Sequence, residues 1–189
     1  MAWEIRNKAY RIAHVIRRVY YVLASRENKV KRVWNDLKRL HIQADWVHGI
    51  YERERQIETG FEVESSSLRF YYAVDEIFFH CRVKVLEDYP LDLTSDLFIL
   101  AAHFNNSLRM GSVKINVNVG YVEYHLQRDL MLPLLYKGEI HSTINFHYAI
   151  AKDVYSAFQR LVLEREAPAI IPDLSTLVQQ FKSCQYHLC

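Results

Sequence analysis

Glycine and proline are scarce. The 189 residues hold five glycines and four prolines, too few for long irregular loops. A phosphate-cradling loop is also excluded, because it needs clustered glycines to bring backbone amides against the anion. Gly49, Gly60, Gly111, Gly120 and Gly138 are dispersed and read as turns and caps. Cysteine is rarer and odd in number. Cys81 lies in an apolar strand pattern and reads as a small buried hydrophobe. Cys184 and Cys189 have no metal-type spacing, and the usage fits a reducing compartment. No apolar run approaches the roughly 20 residues that cross a bilayer. Charge from Glu4 onward, with Arg17-Arg18 interrupting the nearest apolar stretch, leaves no visible signal peptide. A cytoplasmic protein without a membrane partner is expected. Asn105-Asn106-Ser107 matches the glycosylation pattern but falls in a predicted helix of a chain without a secretion signal, and is discounted.

What is present is ordinary globular composition, 50% hydrophobic and 24% charged, enough for a substantial core. The net charge of +2 is unevenly placed. Residues 1–40 carry eleven Lys and Arg side chains against Glu4, Glu27 and Asp36, a balance of +8 that leaves −6 for the remainder. Such a split fits either a basic arm for an anionic partner or an arm packed on its own acidic body.

The arm is helical by pattern. Ile5, Ile12, Val15, Ile16, Val19 and Leu23 recur at helical steps, and Val30, Val33, Trp34, Leu37 and Leu40 mark a second helix. Trp46, Ile50 and Tyr51 extend helical spacing through residues 43–55. Beyond Gln56 the period changes to two. Ile57 to Val63, Leu68 to Val74 and Ile77 to Val85 alternate as three antiparallel strands, with Tyr71, Phe78, His80, Arg82 and Lys84 on the opposite face. A helix follows, capped by Thr94 or Ser95, striped by Leu97, Leu100, Ala101, Phe104 and Leu108, and ended by Gly111. Val113 to Val117 and Val122 to Leu126 form a hairpin about Asn118 to Gly120. A long helix through Ile144, Tyr148, Ala151, Tyr155, Phe158 and Val162 ends at Pro168, and Asp173 begins a short final helix. The predicted class is α+β, an antiparallel β-β-β-α-β-β-α sheet packed with helices and preceded by a basic helical extension. The predicted division is 1–55, the extension; 56–165, the α+β domain; and 166–189, a tail.

No residue pattern carries catalysis. The nine histidines lack ligand spacing: His141 and His147 are six apart, and His41 and His48, seven apart, have no third ligand beside them. No serine occupies a nucleophile elbow, and Cys81 and His80, adjacent on a strand, point to opposite faces. Glu62/Glu64 and Asp75/Glu76 read as a solvated face and a turn. No cofactor is expected. In the arm, Trp3, Tyr10, Tyr20, Tyr21 and Trp34 alternate with Arg and Lys, a mixture that stacks bases and neutralises phosphates or simply packs a helix.

Three passages resemble the YbjN family, whose fold is like that of type III secretion chaperones. They are LRFYYAVDEIFFHCRVKV, LFILAAHFNNSLRMGSVKINVNVGYVEYHL and YKGEIHSTINFHYAIAKDVYSAFQRLV. The likeness covers roughly residues 56–165, and Asn105, Asn106, Gly111 and Gly120 fall where that pattern expects polar or turn residues. The basic extension of about fifty residues departs from it. The resemblance implies a cytoplasmic protein of bacterial type, often dimeric, that binds other proteins and is not an enzyme.

The leading expectation is therefore a non-catalytic protein-binding module. Its candidate contacts are Tyr71, Phe78, Phe146 and Tyr155, and its partners another protein and a second copy in a homodimer. The alternative is nucleic-acid binding through Arg17, Arg18, Lys31 and Arg32.

Overall fold

The computed structural model describes residues 2–46, 48–131 and 137–165, with the backbone alone for 2–11, 17 and 137. Two helices, α1 (Ala2–Leu23) and α2 (Arg26–Gln43), precede strands β1 (His48–Tyr51), β2 (Gln56–Val63), β3 (Ser66–Val74) and β4 (Phe78–Glu87). A 3-10 turn (Leu91–Leu93) leads into α3 (Thr94–Ser107), the hairpin β5 (Ser112–Asn116) and β6 (Tyr121–Asp129), and α4 (Lys137–Glu164). The strands form one six-stranded antiparallel sheet in the order β1-β2-β3-β4-β6-β5. The chain is α+β, as its periodicity predicts.

The helix stops at Gln43 and does not continue through residues 44–46 or 48–55, and the local bonding explains why. Asp45 takes a left-handed conformation, φ 53°, and the Asp45 and Trp46 amides donate to the carbonyls of Ile42 and His41. This paired closure satisfies the carbonyls left over at a helix end, normally with glycine at the left-handed position. Aspartate tolerates that conformation better than most residues, and the Trp46 ring sits edge-on to His41 at 5.1 Å. The chain then turns back as β1, whose Ile50 pairs with Ile57 and whose His48 pairs with Thr59 of β2.

Two further positions differ from the sequence reading. Neither Thr94 nor Ser95 caps α3: Leu93 holds the cap position without a side-chain bond, and the Thr94 hydroxyl donates to the Leu91 carbonyl. Gly111 does not end α3 either. Leu108 closes that helix through its amide on Phe104. The short helix expected after Pro172 lies outside the described residues, as do Cys184 and Cys189.

The contacts group into two units: the described residues of Met1–Gly60, Tyr71–Cys81 and Gln127–Asn145, and those of Phe61–Phe70, Arg82–Leu126 and Phe146–Cys189. In the first, Val30, Val33, Trp34, Leu37 and Leu40 of α2 are buried, with Tyr72, Val74, Phe79 and Cys81 from the strands. His41 stands against Tyr72 at 5.6 Å. Glu52, in the β1–β2 turn, accepts from the Trp34 indole at 3.0 Å and from Lys38 at 2.8 Å. The bonds from Lys38 and Trp34 hold its carboxyl below the usual carboxylate range.

In the second unit α4 lies along the strands. Tyr148 packs on Phe61 and Phe70 and donates to the Glu62 carbonyl, while Phe158 stacks on Phe104 of α3. The Asn105 amide of α3 reaches β5, accepting from the Val113 amide at 2.7 Å and donating to its carbonyl at 3.0 Å. Gly111 stands just before that strand at φ +80°, and a Cβ there would lie 2.7 Å from the Tyr124 hydroxyl and 2.9 Å from the His125 carbonyl. The carbonyl is backbone and cannot swing aside. Gly111→Ala is therefore expected to lower unfolding stability by about 2–4 kcal/mol, measured by urea denaturation against wild type; an unchanged midpoint would contradict the crowding.

Candidate functional site

The candidate contacts divide between the two units. Tyr71 and Phe78 are half-buried on β3 and β4, and the Phe78 ring lies 5.9 Å from His80. Asp75 fixes this turn by accepting from the Ile77 and Phe78 amides and pairing with His80 at 2.6 Å. Burial alone would raise the Asp75 carboxyl, but the bonds from His80 and the two amides outweigh it and hold the pKa low. In the second unit Phe146 is half-buried. Tyr155, by contrast, is 7% exposed and donates to the Ser66 hydroxyl. It is a structural residue, because its ring lies on the side of α4 turned toward the core.

The second unit also shows how its open sheet face is built. Lys114 and Glu123 oppose each other across β5 and β6, as do Ser112 and His125. The Lys114 ammonium meets His125 Nδ1 at 2.9 Å, and Lys84 lies over the Tyr121 ring at 4.9 Å. Burial raises the Glu123 pKa against the pull of Arg82, Lys114 and Lys84. This is a mixed-charge sheet face, whose cations are already engaged.

The informative surface is on α1, where sequence spacing alone suggests packing. Tyr21 is 1% exposed and donates to the Leu130 carbonyl at 2.9 Å. At about 100° per residue, Ile12, Ile16, Val19 and Leu23 fall within about 40° of the direction opposite Tyr21. Together with Val15 and Val22 they are 52–79% exposed. The stripe that reads as a buried face thus points away from the body. Sequence could not settle this, because one period of apolar residues fits both a core and a docking face.

Beside it, α1 and α2 enclose a cleft of about 390 Å³. The aromatic rings come from Tyr20 and Tyr21, the charges from Lys29, Lys31, Arg32, Asp36 and Arg39. This brings Lys31 and Arg32 of the predicted anion contacts together. Arg18 is exposed on α1, outside the cleft lining, and the Arg17 side chain lies outside the described residues. Sequence reasoning overlooked Lys29, which is 3% exposed because Tyr21 and Met131 close over it. Its only signal was its place one turn before Val33 on the buried side of α2.

Among the described residues no three His, Cys, Asp or Glu side chains stand together as metal ligands. No described helix is long and apolar enough to cross a membrane. Burial pushes the Cys81 thiol up, far from the thiolate form a nucleophile needs. Compared with known protein families and with curated proteins, the chain matches none.

Two histidines are held neutral. His147 is fully buried, stacked on Tyr124 at 5.1 Å and edge-on to Phe70 at 5.6 Å. Burial lowers its pKa from 6.5 to about 3, against a bond to the Tyr124 backbone and with the help of nearby His125. Burial lowers His41 as well, against its bond to Leu37. The unfolded chain therefore takes up protons before the folded one does. Stability present above about pH 6.5 is lost as the pH falls toward about 3, by roughly 1.4 kcal/mol per pH unit for His147 alone. Urea midpoints measured from pH 7.5 to 4.5 should fall, and fall less steeply in His147→Phe; equal slopes would contradict a neutral buried imidazole.

Proposed function

We propose that this chain is a non-catalytic protein-binding module of the cytoplasm, with the YbjN-like, secretion-chaperone-like role that its resemblance implies. Within residues 56–165, the order of three strands, a helix, a hairpin and a long helix is in keeping with that likeness. The observation that carries the reading is the exposed stripe of α1. Six aliphatic side chains in helical register form the kind of contiguous apolar surface that marks a site to be covered by a partner.

Charge selects the occupant. The helix bears Arg6, Lys8, Arg11, Arg17 and Arg18 against Glu4 alone, so a second α1 laid on the stripe would bring like charges together. An apolar-faced segment of another protein with acidic flanks meets both needs, covering the stripe and pairing with the arginines. Tyr71, Phe78 and Phe146 are secondary contacts in this reading.

The test compares wild type with Ile16→Glu/Val19→Glu. A protein captured by the tagged wild type is purified and titrated against both by calorimetry. The double variant should bind at least roughly a hundredfold more weakly, about 2.7 kcal/mol, and wild-type affinity should fall as salt rises. Undiminished binding by the double variant overturns the proposal. So does a dimer by light scattering that becomes monomeric in the variant, since the stripe would then belong to a second copy. Loss of binding only in a folded Tyr71→Ala/Phe78→Ala variant would move the site to the sheet.

A further inference from the structure

We infer that the cleft between α1 and α2 is a second site, one that takes a nucleotide unit: phosphate against Lys29, Lys31 and Arg32, and base against Tyr20. The argument is separate from the apolar stripe and rests on how the cleft is charged. Lys29, Lys31, Arg32 and Arg39 line it, with Asp36 as its acid. Asp36 is occupied, bound to Arg39 at 3.0 Å and to Arg32 at 3.9 Å. Nothing comparable serves the lysines. No described carboxylate pairs with Lys31 or Lys29.

Lys29 is the telling residue. Its ammonium is almost wholly removed from water, yet its neighbours are the Tyr21 ring, 5.2 Å from the nitrogen, and the Met131 sulfur at 4.0 Å. A ring face and a thioether attract a cation only weakly, and a buried charge is costly unless paired. Arg32 lies over the same ring at 5.6 Å. Two cations thus converge on one aromatic while only Arg32 has a carboxylate beside it, an arrangement that an anionic group entering from the open side would complete at Lys29.

The rim decides which anion. Tyr20 is 71% exposed, and the amides of Asn28 and Asn35 join the lining. An exposed phenol ring and paired amide donors and acceptors suit a base, which stacks and presents a polar edge. A carboxylate peptide would use only the charge. The cleft's volume lies within the range of small-ligand sites. A free nucleotide and one unit of a single strand share this chemistry.

The experiment is fluorescence anisotropy of a labelled ten-nucleotide oligouridine on the full chain, with unlabelled uridine monophosphate, inorganic phosphate and polyglutamate as competitors. Binding is expected to weaken at least tenfold in Lys31→Gln/Arg32→Gln and roughly tenfold in Tyr20→Ala. Each cation removed should lower the salt slope by about one. Displacement by the mononucleotide at matched concentration assigns a free nucleotide; displacement only by the oligomer assigns a single strand. Lys29→Met should abolish binding. If that variant fails to fold by circular dichroism, the two exposed-side variants still decide. Absent binding overturns the inference, as does binding that Tyr20→Ala leaves unchanged and polyglutamate displaces equally. Ile16→Glu/Val19→Glu should bind the oligomer as wild type does, separating this site from the protein-binding stripe.

Discussion

A strand with one covered face buries every second residue, and much of this molecule follows from meeting that constraint. In β4 the burial runs in strict alternation from Phe79 to Val85, with His80, Arg82 and Lys84 half-exposed between. The buried set is aliphatic, aromatic and thiol, so it requires cover; the first unit holds the apolar face of α2, and the second those of α3 and of α4 from Phe146 on. The other set is mixed: Lys84 lies over the Tyr121 ring, and Glu123 stands among Arg82, Lys114 and Lys84.

α1 belongs to a different economy of contacts. Tyr21 fixes its carboxyl end through a ring fully out of water and a hydroxyl on the Leu130 backbone. Beyond that anchor the helix shows water an aliphatic stripe. The buried ammonium of Lys29 follows from the same anchor, since the ring that holds α1 is also the ring that covers the lysine. One aromatic therefore sets both the direction of the stripe and the charge of the cleft.

Much of this was legible in the sequence where a single physical rule decides the outcome. The alternation of β3 and β4, the turn at Asn118 to Gly120 and the long α4 follow from periodicity and turn chemistry, and the structure places them accordingly. β1 was hidden because its helix-ending residue is Asp45, not glycine, and four residues are too few for a period. The site was less legible than the fold. Tyr155 and Ile16 both lie on apolar helical stripes, and only the surrounding chain buries one and exposes the other. Lys29 was invisible for the converse reason: a lysine is read as solvated until a ring and a sulfur are seen to close over it.

The Asn105 amide has a consequence for how this sheet ends. β5 is the outermost strand on its side, and an outermost strand offers its unpaired backbone groups to any passing chain. Asn105 holds both groups of Val113, the N–H through its oxygen and the carbonyl through its nitrogen. A primary amide carries the same donor and acceptor as a peptide unit, so the side chain stands in for one residue of a missing neighbour strand. With only five residues in β5, engaging the second one leaves no long continuous row to template on. The molecule is thereby guarded on this border against fibrous growth by a helix that lends it a single counterfeit peptide.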